Sequence, residues 1–358
     1  MGSMGNGKIK SFPLQFIEMN NELILKRGCS EIRISGENSI EVIRLILREV
    51  SQEGSVEKIL EMFTPSEKPQ IEKLLEELIA RRFLKVTETC TPQENVNESS
   101  LDIFYWNFGT TSLQVSQDIN ALQFLILGVN AVSRQLTLGL LETGVTNIKV
   151  IDDQFFRNTR FFGIGNKPLL EQWPSSVPIH ESLGIEINSE SIHCIVATSD
   201  FGGRQGFSQW NSFCVQNGIS FFPVILKNLI GFVGPLIIPN ETACFDCLLA
   251  RQDSNMENLD TYRRIEATAF EGQKTIGFHP SMASMVGSIA TMELLKFYSK
   301  YLPSANVGKL IEVNLIGPKI SVRKILKVPR CHSCSPLKTQ SSTSLVKNVF
   351  APINELQR

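Results

Sequence analysis

The sequence predicts an α/β protein in two parts, a small winged helix-turn-helix module followed by a Rossmann-like, mostly parallel sheet. Three observations predict it. A strand–helix–strand pattern runs from Leu122 to Asp152, three short strands and three helical stripes fill residues 15 to 87, and a polar stretch separates them.

Leu122-Gln-Phe-Leu-Ile-Leu-Gly128 is a nearly unbroken apolar run, the mark of a strand buried on both faces of a parallel sheet. Val132, Leu136 and Leu140 then recur every four residues, and Gly144 supplies a left-handed helix stop. Asn147-Ile-Lys-Val-Ile151 is the second strand, ending at Asp152. Such a unit turns its first loop and the tip of its second strand toward a nucleotide, with an acid at that tip for the ribose hydroxyls. Of the glycines that let backbone approach phosphate, Gly128-Val-Asn-Ala-Val-Ser133 keeps Gly128 alone. Asp153, Asn158, Arg160 and Lys167 crowd polar and cationic groups onto the next segment, among Phe155, Phe156, Phe161 and Phe162. The combination suits a triphosphate; the competing reading is a solvated loop whose aromatics sit in the core. Ile192 to Ser199 is a further buried strand, and it ends at Asp200. The carboxyl ends of strands line the ligand crevice in open α/β sheets, so Asp200 and Asp152 are placed to meet there and hold magnesium or ribose. Arg204 is a partner for Asp200 or for phosphate. A helix over Gln205–Gln216 and a strand over Ile219–Leu226 follow, and Gly231–Ile238 is expected to continue the sheet.

Residues 1–87 form the first expected domain. Met1–Lys10 is polar and expected to be unstructured. Gln15–Met19, Glu22–Arg27 and Glu31–Ser35 read as a small antiparallel sheet. Helical stripes follow at Ile40/Ile43/Ile46/Leu47/Val50, at Val56/Ile59/Leu60/Phe63 with Ser55 as cap, and at Ile71/Leu74/Leu75/Leu78/Ile79. The third helix balances Glu67, Glu72, Glu76 and Glu77 against Lys68, Lys73, Arg81 and Arg82, which excludes a phosphate-binding face. A peptide added as a strand along the edge of Glu31–Ser35 fits better, with a purely packing accessory domain as the alternative. Residues 88–100, polar and poor in bulky apolar side chains, are the linker; 101–335 form the second domain and 336–358 a polar tail.

The chain has 358 residues, 42% hydrophobic, and a net charge of −1, which suffices for sizeable cores and argues against nucleic-acid binding. No run spans a bilayer and no signal peptide opens the chain, so a cytoplasmic protein is expected. Its eight cysteines then read as free thiols or metal ligands. Cys244-Phe-Asp-Cys247 and Cys331-His-Ser-Cys334 are two knuckles that together complete the four-thiolate shell of structural zinc. A redox dithiol competes, but needs one pair rather than two. Arg251–Arg264 is charged and loop-like. His279-Pro280 opens a helix over Ser281–Tyr298 whose small residues permit close packing in the core or at a subunit interface, and Lys309–Leu315 with Lys319–Leu326 makes a final hairpin.

On these residues the region 101–334 resembles the ThiF/MoeB family, the ubiquitin-activating-type adenylating fold. Gly234-Pro-Leu-Ile-Ile-Pro239 before the first knuckle, and Val328-Pro-Arg-Cys331 at the second, look most like the branch that serves ribosomally made, modified peptides (RiPPs). The N-terminal module looks like that branch's PqqD-like leader-recognition element. The resemblance implies ATP and magnesium as reactants beside the zinc. Asp152 would hold the ribose, Asn158, Arg160 and Lys167 the phosphates, and Asp200 the magnesium, in an adenylation that activates a carboxylate. It also implies a ribosomal precursor peptide as partner and a homodimer. Two functions stay open: an enzyme that activates core side chains for cyclisation, as the pantocin-type maturation enzyme does, or a leader-binding scaffold that delivers the precursor to a separate YcaO cyclodehydratase.

Overall fold

The computed structural model describes residues 8–335, apart from residues 12, 20–21, 37, 53, 88–99, 165–166, 170–172, 175, 182–190, 269–276, 304 and 318. The expected linker, up to residue 99, and the expected tail therefore lie outside the described residues. The chain divides into two compact units, Met1–Val115 and Ser116–Arg358.

In the first unit, β2 (Gln15–Met19), β3 (Glu22–Arg27) and β4 (Ser30–Ser35) form an antiparallel meander in that order, preceded by β1 (Lys8–Ser11). Alternation along β3 buries Leu23 and Leu25 completely. Helices α1 (Ser39–Ser51), α2 (Val56–Glu61) and α3 (Lys68–Ala80) follow, then β5 (Leu84–Thr87) and α4 (Ser100–Trp106). Their stripes meet in one core containing Ile43, Ile46, Ile59, Leu75 and Leu78, while Glu72, Lys73, Glu76 and Glu77 face solvent. Ser55 caps α2, its hydroxyl accepting the Lys58 N–H at 3.2 Å. One expectation is corrected. Met1–Lys10 is not unstructured throughout, because Lys8–Ser11 pairs antiparallel with β5 and Ile9 is fully buried opposite Val86. Among the described residues, β4 pairs with β3 alone and leaves its other edge open.

Helix α5 (Ser112–Asn120) spans the boundary between the units. The second unit contains β6 (Gln123–Leu127), α6 (Ala131–Glu142), β7 (Ile148–Asp152), β8 (Ile179–Glu181), β9 (Ile192–Ser199), α7 (Arg204–Asn217), β10 (Ser220–Lys227) and β11 (Ile230–Val233). It continues with α8 (Phe245–Asp253), α9 (Leu259–Thr268), α10 (Pro280–Tyr298), β12 (Lys309–Asn314) and β13 (Lys319–Lys324). An eight-stranded sheet runs in the order β13-β12-β11-β10-β9-β6-β7-β8. The stretch from β10 to β8 is parallel, and β11 to β13 extend it as antiparallel strands. The chain leaves central β6 in one direction through β7 and β8, then returns to build β9 and β10 on the other side. The strand order therefore reverses between β6 and β9, and ligands bind at such a reversal in open α/β sheets. Gly144, at φ 83°, stops α6 as expected, with the Val145 N–H returning to the Leu140 carbonyl at 3.0 Å.

Residues 251–264 are loop-like only at 254–258: α8 runs to Asp253, and α9, a polar helix, starts at Leu259. Of the small residues of α10, Ala283, Gly287 and Ala290 are buried, with Gly287 packed against α6, while Ser288 is exposed. A Cβ on Gly287 would lie 2.8 Å from Gln135 Cβ and 3.0 Å from the Leu136 nitrogen, and one on Gly139 would lie 2.7 Å from Thr291 Oγ1. Gly287→Ala is expected to destabilise the protein by about 1–2 kcal/mol in urea unfolding, although alanine favours helix, because backbone cannot step aside as a side chain can. Among the described residues, no helix is long and apolar enough to cross a membrane.

Candidate functional site

The strand-order reversal brings three segments together: the turn from β6 into α6, the segment after β7, and the end of β9. Gly128 sits at φ 101°, and a Cβ there would lie 2.6 Å from Phe156 Cβ and 2.9 Å from the Thr198 carbonyl. Its glycine is thus demanded by close packing of the chain on itself. The residue that organises the turn is Asn130, fully buried at the start of α6. Its Oδ1 accepts the Val132 and Ser133 N–H groups at 3.0 Å, and Ser133 Oγ accepts the Asn130 N–H at 3.0 Å. Its Nδ2 donates to the carbonyls of Phe156 at 3.0 Å and Thr198 at 2.9 Å. A search for glycines passes over it; the signal was the Asn-x-x-Ser spacing. Asn130→Ala is expected to lower stability by about 2–4 kcal/mol in denaturant unfolding, since the cap and two bridges to neighbouring segments go together.

Asp200 follows β9 and is 1% exposed. Its Oδ2 accepts the Ala131 N–H at 2.9 Å, at the positive end of α6, and both oxygens lie 2.9 Å from Asn158 Nδ2. Burial pushes its carboxyl above the usual range, with these hydrogen bonds and the charge of Arg160 pulling the other way. Asn158 is in turn held by its own backbone, whose N–H donates to the Val129 carbonyl at 3.0 Å, and its Oδ1 accepts the Arg160 N–H at 3.0 Å. The structure thus joins Asp200, Asn158 and the turn after Gly128, with Arg160 exposed on a short 3₁₀ turn at their rim. Lys167 is exposed too; its carbonyl accepts the Gly163 N–H at 2.9 Å, and its ammonium is not among the groups bonded to Asp200 or Asp152.

Asp152 is 6% exposed and paired with Arg157, whose Nε donates to Oδ1 at 2.8 Å and whose Nη2 meets Oδ2. That guanidinium also lies over the Phe162 ring, 4.5 Å from its centroid. Asp153 points elsewhere: it accepts the Phe155 N–H at 2.8 Å and the Trp210 indole N–H at 2.9 Å, tying the turn to α7, and burial raises its carboxyl. Phe156 packs on Phe207 with centroids 4.6 Å apart, in the core. Arg204 pairs with neither Asp200 nor anything at the strand ends of β6 and β7. Its Nη2 lies 2.5 Å from Asp253, an α8 acid beyond the reach of local sequence pattern.

The four knuckle cysteines converge, with all four sulfurs within 4.8 Å of one another. Cys244 and Cys247 are 3.8 Å apart, Cys244 and Cys331 3.6 Å, and Cys247 and Cys334 3.5 Å. Sulfurs on a tetrahedron 2.3 Å from zinc are roughly 3.8 Å apart, so the set fits such an ion. Four sulfurs in one cluster also disfavour a lone redox pair. Asp246 locks the knuckles together from outside, accepting from Ser208 at 2.5 Å, from Asn211 at 2.8 Å and from the Ser333 hydroxyl. The Val328 N–H donates to the Cys247 sulfur at 3.3 Å, a bond that suits a thiolate.

No family model matches the chain, and no curated protein sequence matches it. Solved structures do. E. coli MccB crystallised with selenomethionine MccA superposes with a TM-score of 0.64 at 16% identity, over 92% of this chain and 100% of that one. E. coli MccB with ATP gives 0.63 at 17% identity, over 91% and 99%. The heterocyclase TruD gives 0.58 at 15% identity, and this chain, 93% covered, spans 43% of its length. At these identities the likeness establishes the fold alone: this chain has the fold of MccB over 92% of its length.

Proposed function

We propose that this protein is an ATP-dependent enzyme that modifies a ribosomally made precursor peptide. Its N-terminal region, residues 1–87, takes the leader as a PqqD-like winged-helix element, with the open edge of β4 as the docking strand. Residues 88–100 link it to an adenylating domain, 101–335, that activates carboxylates or amides of the core for cyclisation, and 336–358 form a tail. The observation that carries the reading is Asp200. A carboxylate at the strand-order reversal, desolvated and oriented by an amide and a helix N–H and, among the described residues, without a cationic hydrogen-bond partner, suits a metal ion arriving with a ligand.

MccB has been crystallised with ATP, with AMPCPP and with MccA, and a heterocyclase of similar fold with substrate and cofactor. In this chain Asp200 would hold magnesium, Asn158, Arg160 and Lys167 the phosphates, and Asp152 the ribose once Arg157 turns away; the turn at Gly128 would shape the pocket floor, and Asp153 would support the cofactor from behind by holding the segment after β7 to α7. When bound, MgATP supplies the electrophilic phosphorus. The protein's part is to orient a carboxylate and to keep water out. The four cysteines hold zinc as a closed structural site, without a share in the chemistry. A homodimer is part of the proposal. The test is ATP consumption by the purified protein with its precursor and no partner enzyme. Turnover supports the enzyme; none, with the leader still bound, would make the protein a scaffold for a separate YcaO enzyme.

A further inference from the structure

Beyond the end of β10 lies a cavity of about 430 Å³, walled by Phe232, Leu248 and Met256. Lys227, the last residue of β10, reaches into it. Because β10 runs parallel to β9, with Ile225 beside Ser199, Lys227 emerges at the same sheet edge as Asp200. Its ammonium is ion-paired with Glu266 of α9, donates to the Tyr262 hydroxyl at 3.2 Å, and lies 4.8 Å from that ring's centroid. Arg204 lies over the same ring, 5.4 Å from the centroid. One of its nitrogens holds Asp253, while Nη1 is buried and, among the described residues, has no hydrogen-bond partner. A carboxylate receptor is thus half filled. Glu266 satisfies the lysine, while on Arg204, over the same ring, a buried guanidinium nitrogen is left over among the described residues, which costs free energy until an acceptor arrives.

The position of Glu266 carries the next step. Its Oε2 would lie 3.4 Å from a Cβ on Gly202, so its carboxylate rests against backbone two residues past Asp200. The helix that brings it there meets the site through polar groups: Tyr262, half-buried, accepts from Lys227 and lies under Arg204, and Arg263 pairs with Asp253 at 3.1 Å. Exchanging one carboxylate for another leaves Lys227 neutralised throughout, so displacing Glu266 strands no charge at the lysine.

We propose that Glu266 stands, in the free protein, where the carboxylate of the peptide to be activated binds. Lys227 and Arg204 Nη1 receive that carboxylate, and the apolar walls take the side chain or methylenes next to it. The inference rests on the ATP-dependent reading above, and names its acyl substrate as a carboxylate flanked by apolar groups. A C-terminal carboxylate and a glutamate side chain present the same chemistry.

The test uses the full chain without nucleotide, so it reads the pocket whether or not the protein consumes ATP. Three probes are titrated by ligand-detected NMR: acetyl-leucyl-glutamate amide, acetyl-leucyl-alanine with a free carboxylate, and acetyl-leucyl-glutamine amide as the neutral control. With its internal competitor removed, Glu266→Gln is expected to bind one acidic probe about tenfold tighter or more, with the neutral probe unchanged. The acid that gains identifies the source, and adding Lys227→Met should abolish the gain. No gain for either acid, an equal gain for the neutral probe, or a gain that survives loss of Lys227 would overturn the proposal. Glu266→Asp keeps the charge and so the fold, and should show a smaller gain for the same acid; no gain there counts equally against it.

Discussion

Asp200→Ala is expected to lower precursor-stimulated ATP turnover by about 100-fold or more while moving the thermal midpoint by only a few degrees. The two halves of this expectation have separate physical reasons. Stability changes little because two terms oppose each other. Removing the carboxylate strands the Ala131 N–H and the Asn158 amide, yet it also removes a charge that burial disfavours, as the raised carboxyl shows. Activity has no such offset. On the proposed reading Asp200 would hold magnesium, and its loss would cost the registration of the phosphates against the acceptor. A mutation at Asn130 separates structure from chemistry in the opposite sense, since that side chain is wholly engaged in joining α6 to β9 and to the segment after β7. Turnover by Asp200→Ala within a few-fold of wild type, at full magnesium, would remove Asp200 from the chemistry.

Much of the second unit's architecture was legible because parallel strands advertise themselves. The runs at Leu122–Leu127 and Ile192–Ser199 are apolar on both faces, and glycine or aspartate marks their ends. The cysteine knuckles were legible because spacing alone states their chemistry, although only the fold brings residues 244 and 331 to 3.6 Å. What escaped is partner choice. Asp152 ends β7 and Asp200 follows β9, both at strand tips, but the pairing of Asp152 with Arg157 depends on the turn between them, and that of Arg204 with Asp253 and of Lys227 with Glu266 on side chains meeting across elements. Periodicity cannot reveal that. The same reason hid β1, whose single strong signal, Ile9, is meaningful only once β5 lies beside it. Helix α9 escaped because its inner face is polar, so no apolar stripe distinguishes it from a charged loop.

Cys247→Ser is expected to abolish stoichiometric zinc and to lower the thermal midpoint by about 10 °C or more, and chelation of the wild-type protein should do the same. The cysteines bring the start of α8 to the segment after β13, with Cys244 and Cys331, and Cys247 and Cys334, each 87 residues apart in sequence, so an ion held there would close a long loop as a crosslink does. Burial raises the Cys244 and Cys247 thiols, Cys247 to about 11, whereas at Cys331 burial is outweighed by hydrogen bonds from its neighbours, which lower the thiol, so without metal Cys244 and Cys247 are neutral and do not repel a Cys331 thiolate. The empty site therefore stays packed, but it loses the bonds that order Val328 to Ser335. Only part of a zinc site's intrinsic free energy then appears as stability, because this unit keeps a large core of its own. Cys29→Ser, an exposed position in the other unit, should leave zinc content at one per chain. A wild-type protein that holds no zinc and instead forms disulfides reversibly on oxidation, with its midpoint unmoved by chelators, would return the cluster to redox chemistry.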